Sequence, residues 1–289
     1  MTSERRADEG AFELELGYAS VRGRVVGEAP RTLVAVPDPP NLVDHHHDVF
    51  ERLRDSYRII SFELPGFGRS RLRKGMRFDI DSQVELMGEV LERLSARRVV
   101  LEMSCLGALV GLRLARRRPE LIDKLVLAQV STLAQMQAWA KGADVWNIIH
   151  TPALGQAFVF LARKLIARHW FRAALPEGTD EQTYQRYLQP TLAALEQGGP
   201  FELASAYQAV RRATEVDYGQ ITQATLLLFG DADRTHRLTG TDPRALRQAL
   251  PRAELVQGES WGHFPTLEDP VRYATTLKDW DAASPSLST

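Results

Sequence analysis

Six short runs rich in β-branched and aliphatic residues punctuate the chain, and most of them end in Pro, Gly or Asp turn chemistry: RTLVAVPD, YRIISFELPG, VVLEMS, LVLAQVS, ATLLLFGDAD and AELVQG. Helical stretches separate most of these runs. Strands spaced in this way cannot be joined by tight hairpins, so they predict a mostly parallel sheet with helices on both faces, an α/β fold. Ahead of them, FELELGYASVRGRVVG alternates with period two and predicts a β-hairpin that turns near Gly17 or Gly23. Asp81 or Ser82 is positioned to cap a helix carrying Val84, Met87, Leu91 and Leu94 on one face.

The strand rhythm stops between about residues 132 and 218. That segment reads as helical, with Phe158, Leu161 and Leu165 on one face of LGQAFVFLARKLIARHWF. An insertion at that point lies over the carboxyl ends of the strands, where open α/β sheets keep their sites. The expected organisation is a core from 11–131 and 219–282, a helical cap over 132–218, and loose ends at 1–10 and 283–289.

Composition narrows the function. A chain of 289 residues that is 44% hydrophobic can bury one large core. Its net charge of −1 offers no field for nucleic acid or an anionic membrane. The charged start MTSERRADEG has no apolar leader segment, and no run approaches the roughly 18 apolar residues of a spanning helix. A single cysteine excludes an intrachain disulfide and a cysteine-rich zinc site. The expectation is a cytoplasmic protein with a small-molecule substrate, no nucleic-acid or membrane partner, and an open oligomeric state. No Gly-x-Gly-x-x-Gly fingerprint or phosphate loop is present, so neither a cofactor nor a metal is expected.

Five segments carry a resemblance: ELPGFGRS (63–70), MSCLGA (103–108), RRPELIDKLVL (117–127), LLLFGDAD (226–233) and WGHFPTLEDP (261–270). Together they resemble the α/β-hydrolase superfamily, in its capped lipase-, haloperoxidase- and epoxide-hydrolase-like branch. Glu63 stands where that family's Asp-x-x-Gly-x-Gly-x-Ser turn has Asp. The resemblance implies a nucleophile on a strained strand-to-helix elbow, followed in chain order by an acid and a histidine. With Cys105 as nucleophile, Gly107 and Ala108 fall on the small positions; with Ser104, Glu102 and Leu106 would fall there and collide. Cys105 therefore takes the place of the usual serine, and Met103 is a departure that implies tight local packing. Gly-x-x-Asp selects Asp233 over Asp231 as the acid, and the end of LVLAQVS offers no carboxylate for the alternative position. His263 would take the thiol proton or hold Cys105 as a thiolate, and the helix N-terminus would lower the thiol pKa.

The family's oxyanion loop departs further. Leu106 N–H remains as one donor, but Pro37-Asp38-Pro39 occupies the usual His-Gly-x, and Pro39 has no N–H to give. Losing one donor costs about 10²–10³ in rate. The expected function is an acyl enzyme acting on a thioester, ester or lactone, the substrate possibly carrier-bound. Alternatives are acyl transfer or cyclisation, a lyase or isomerase in which Cys105 is a spectator, and a ligand-binding pseudoenzyme. Trp139, Trp146, Phe158 and Trp261 are candidates for the substrate pocket. Glu102 is expected to pair with an arginine or a backbone donor. His45-His46-His47 cannot easily aim three imidazoles at one ion, although one of them could line the pocket mouth.

Overall fold

The computed structural model describes residues 10–144, 146–284 and 286. The expected tail over residues 1–9 lies outside them. The chain opens with strands β1 (Ala11–Glu15), β2 (Ala19–Val26) and β3 (Thr32–Ala35), then helix α1 (His47–Leu53). Next come β4 (Arg58–Phe62), the short β5 (Arg71–Leu72), α2 (Ile80–Arg93), β6 (Val99–Ser104), α3 (Cys105–Arg117) and β7 (Ile122–Ala128). Four helices follow: α4 (Leu133–Ala143), α5 (Leu154–Ala174), α6 (Glu181–Glu196) and α7 (Leu203–Arg212). The chain then returns through β8 (Ala224–Gly230), α8 (Arg234–Thr239), α9 (Pro243–Ala249), β9 (Ala253–Gly258), α10 (Pro265–Glu268) and α11 (Pro270–Ala283).

The strands form one sheet in the order β1-β2-β4-β3-β6-β7-β8-β9, with β5 paired to β2. All neighbours from β4 to β9 run parallel, while β1, β2 and β5 pair antiparallel at one end. Side chains of the central strands alternate between two cores, as the two-residue strand period requires. Val34, Leu101, Met103 and Leu127 pack with α2 and α3 on one face. Leu33, Val100, Val126 and Leu228 pack with Phe50 of α1 and with Tyr273, Leu277 and Trp280 of α11 on the other.

The hairpin turns at Gly17, and Gly23 lies inside β2 opposite Phe62. Helix α2 starts earlier than its charged residues suggest, because buried Ile80 belongs to its apolar face; Asp79 is the cap and accepts from Ser82 N at 3.2 Å. The final helix also runs one residue into the expected tail, and Ser284 is buried.

A buried ion cluster fixes that end beneath the sheet. Lys124 on β7, whose side chain is 2% exposed, reaches Asp281 Oδ1 at 2.8 Å. Its Nζ also donates to the Asp281 and Ser284 carbonyls, each at 2.6 Å. Arg31 reaches Asp281 Oδ1 at 2.9 Å, and Tyr57 OH donates to Oδ2 at 2.9 Å. Burial opposes the Asp281 charge, but Arg31, Lys124 and Tyr57 hold its carboxyl below the ordinary range. Asp281→Ala would leave the Lys124 ammonium buried with carbonyls alone, at a cost of about 3–5 kcal/mol. Urea unfolding monitored by fluorescence checks this as a lower midpoint with an unchanged slope.

Candidate active site

Cys105 is the first residue of α3, directly after β6, with φ at +51° and 2% exposure. A non-glycine residue in this region costs on the order of 1–3 kcal/mol, so the packing around the turn must enforce it. Met103 contributes to that packing from the strand. A Cβ at Gly111 would lie 3.2 Å from Met103 Sδ, and one at Gly107 would lie 3.5 Å from its Cε. The bulk at 103 is thus matched by the missing side chains at 107 and 111.

Asp233 follows β8 and caps α8. Its Oδ1 accepts from Thr235 N and Thr235 Oγ1, both at 2.8 Å. Its Oδ2 faces His263 Nδ1 at 2.6 Å and accepts from Gln129 Nε2, also at 2.6 Å. Burial works against the Asp233 charge, yet the His263 imidazole and these donors hold the carboxyl well below its usual range. Gln129, at the end of β7 with φ at +51°, also accepts from Gly230 N at 2.7 Å and donates to Gly262 O at 3.1 Å. The His263 loop can come this close because residue 230 has no side chain: a Cβ there would sit 2.1 Å from Gly262 O. Glu268 clamps the same loop by accepting from the Gly262 and Phe264 amides, and burial pushes its carboxyl up to about 7.

The second ring nitrogen of His263 meets an unexpected neighbour. Asp38 Oδ2 lies 3.2 Å from His263 Nε2 without the alignment of a full hydrogen bond, and both atoms are buried with no other partner among the described residues. The imidazole is therefore flanked by two carboxylates. Burial resists the charge on His263, but Asp233, Cys105 and Asp38 together raise its pKa well above the ordinary value. Burial raises Asp38 against the pull of His263. Cys105 is pushed up to about 11, first by burial and then by Asp38, against the opposing effects of His263 and the Leu106 N–H. Desolvation thus favours the thiol, against the helix dipole, which would favour the thiolate.

An apolar cavity opens over these groups. Asp38, Pro39, Cys105 and Leu106 line one side with Leu64, Phe67 and Phe78 of the core, and Trp139, Ile166, Trp170, Phe201 and Tyr207 reach it from the helical segment. Pro39 and Pro40, joined by a cis peptide, offer the cavity no N–H. Of the four pocket candidates, only Trp139 lines it. Trp146 is 81% exposed, Phe158 is half-buried outside the lining, and Trp261 packs in the other core under Arg272. Their type favours an apolar surface, but the packing of the helical segment decides which surface they meet.

Other expectations also change. Glu102 has no arginine or hydrogen-bond partner for its side chain among the described residues. It points into the core shared with Tyr273, and burial, reinforced by Asp38, pushes it up to about 8. The three adjacent histidines diverge: His45 Nδ1 accepts from Leu42 N at 2.8 Å, His46 stacks on Phe50, and His47 is exposed. None lines the cavity. Asp231 is exposed and bonds Gln257, away from His263.

Sequence reading missed His236. Its ring stacks on Trp139 at 5.1 Å and lies 5.4 Å from the His263 ring; both nitrogens are buried without a hydrogen bond among the described residues, and Nε2 lies 3.9 Å from Asp233 Oδ2. Burial lowers it to about 3, so it stays neutral. Cys105, His236 and His263 each bring one donor atom within 4.8 Å of the others, a soft set that neither the motif nor its spacing revealed.

The α/β hydrolase family model matches residues 40–276. The chain belongs to the alpha/beta hydrolase family. Haloalkane dehalogenase 2 of Mycobacterium tuberculosis is 26% identical over 264 residues, covering 83% of this chain and 86% of that protein. The pimeloyl-[acyl-carrier protein] methyl ester esterase of Nitrosomonas europaea is 25% identical over 236 residues, covering 78% of this chain and 86% of that protein. A thermophilic esterase from Thermogutta terrifontis shares the fold with a TM-score of 0.73 at 18% identity, over 94% of this chain and 98% of that one. No helix among the described residues is long and apolar enough to cross a membrane.

The raised thiol gives a direct expectation. Cys105 is the chain's single cysteine, so iodoacetamide labelling followed by intact mass reports it alone. The rate is expected to keep rising with pH toward about 11. A plateau near the free-cysteine value of about 8.5 would contradict the burial argument.

Proposed function

We propose that this protein is an acyl hydrolase or acyl transferase in which Cys105 attacks a carbonyl, His263 moves the proton and Asp233 orients the imidazole. The observation that carries the reading is the 2.6 Å contact between His263 Nδ1 and Asp233 Oδ2 beneath a cavity that holds Cys105 on a positive-φ turn. A thiol so placed needs a base beside it, because at neutral pH burial keeps it protonated. The apolar lining suits a neutral ester or thioester whose acyl chain lies along Trp139, Trp170 and Phe201, with α4–α7 acting as the cap. The esterase of Nitrosomonas europaea, named for a carrier-bound methyl ester, supports ester chemistry and makes a carrier-tethered acyl group a natural substrate class.

p-Nitrophenyl acetate tests the covalent step without a known substrate. Wild-type protein is expected to gain one acetyl group on Cys105 by intact mass. His263→Ala is expected to slow acetylation by about 10²–10⁴-fold, the usual worth of a general base. Nitrophenolate release by Cys105→Ala at the wild-type rate would overturn the nucleophile assignment and favour acid–base chemistry with the thiol as spectator.

A further inference from the structure

The site lacks one backbone donor that acyl transfer requires, and a carboxyl group lines the same cavity as the remaining donor, Leu106. Asp38 lines the cavity beside Cys105, and the residues that follow it, Pro39 and Pro40, have no N–H. An ionised carboxylate there would oppose the negative charge that develops on a carbonyl oxygen under attack. A neutral carboxylic acid would do the reverse, because its O–H is a strong donor in a dry pocket.

We infer that Asp38 acts as a protonated oxyanion donor, its carboxyl lining the cavity with Cys105 and Leu106 and lying 3.2 Å from His263 Nε2 without a hydrogen bond to it. This rests on the acyl reading above. With Asp38 and the Cys105 thiol both protonated, two of the three groups that hold a proton on His263 are neutral, so Nε2 has a free lone pair and can act as base. The Cys105 thiol gives its proton to Nε2 while sulfur forms a bond to the acyl carbon. The π pair of the carbonyl moves onto oxygen, where Leu106 N–H and Asp38 O–H stabilise it. On collapse the carbonyl re-forms, the bond to the leaving alcohol or thiol breaks, and that group takes the proton from His263. Water or another nucleophile then releases the acyl group by the same steps in reverse order.

The surroundings favour the neutral form. Asp38 is faced by the ionised Asp233 through His263, by Glu102 from β6, by Cys105 from α3 and by Tyr207 from α7. Among the described residues only His263 offers compensating positive charge, and Asp233 already engages it at 2.6 Å. A second full negative charge on Asp38 would be buried with no cation of its own.

The test is single-turnover acetylation of Cys105 by p-nitrophenyl acetate, with the rate measured against pH for wild type, Asp38→Ala, Asp38→Asn and Tyr207→Phe. Because Asp38 must keep its proton, the wild-type rate, corrected for the thiol fraction, is expected to fall as pH rises through the Asp38 ionisation. Asp38→Ala is expected to lose about 10²-fold. Asp38→Asn keeps a neutral donor, so it is expected to stay within about tenfold of wild type and to lose the alkaline fall. Circular dichroism melts of each variant establish that it is folded.

Asp38→Asn as slow as Asp38→Ala would overturn the inference, since the carboxylate charge would then be what matters. Asp38→Ala as fast as wild type, or Tyr207→Phe as the variant that loses about 10²-fold in its place, would also overturn it. In each of these results Cys105 is still acetylated in wild type, so the nucleophile assignment survives. Absence of acetylation in wild type at every pH would overturn both.

Discussion

The contact between Asp233 and His263 organises the site, and much of the nearby structure exists to make it possible. Asp233 Oδ2 serves His263 and Gln129, each at 2.6 Å, while Oδ1 serves the first turn of α8. Gln129 ties this carboxyl to β7 and to the Gly262 carbonyl, and Glu268 grips the two amides that bracket His263. A fully buried imidazole beside a carboxylate is stable only when the remaining polar groups are also satisfied, so these partners do more than decorate the motif. The exceptions are informative. Among the described residues, His263 Nε2, Asp38 Oδ2 and the two nitrogens of His236 are buried without a hydrogen bond, and of these residues Asp38 lines the cavity.

Electrostatics then sets the direction of the chemistry. A thiol pushed up to about 11 is inert at rest and becomes a nucleophile only as its proton leaves. In the usual cysteine site a nearby cation stabilises the thiolate in advance. Here the added neighbour is a carboxyl group, which stabilises neither a thiolate nor an oxyanion unless it is itself protonated. Desolvation by the apolar cavity raises Asp38 and Cys105 together, so the same burial that quiets the nucleophile prepares the donor.

Much of this architecture was legible in the sequence. The parallel strands and the single long helical interruption between β7 and β8 follow from local period and turn chemistry, and Cys105, Asp233 and His263 are pointed to by the resemblance to the α/β-hydrolase superfamily. These signals survive because strand ends and glycine turns are fixed by backbone geometry. Side chains that approach across loops leave no such period. The loss of a donor at Pro39 could be read directly, but the inward turn of Asp38 could not, because side-chain direction in an irregular loop has no repeat. Gln129 carries no motif, and its role follows from a contact across 101 residues; Glu268 lies within the histidine segment, but its grip on the loop is visible only in the fold. Trp146, Phe158 and Trp261 show the same limit from the other side. Aromatic character predicts an apolar neighbour, and only the packing of α4, α5 and α11 decides whether that neighbour is the cavity, the core or solvent.

The protonation of Asp38 is the point on which the account turns, and infrared difference spectroscopy reads it without a substrate. Wild-type protein at neutral pH, minus Asp38→Asn under the same conditions, is expected to show the C=O stretch of a protonated carboxylic acid, shifting on deuteration. Only the paired carboxylate stretches in that difference spectrum, with no protonated band, would mean that Asp38 is ionised beside His263, and an anion would then stand where acyl transfer needs a donor.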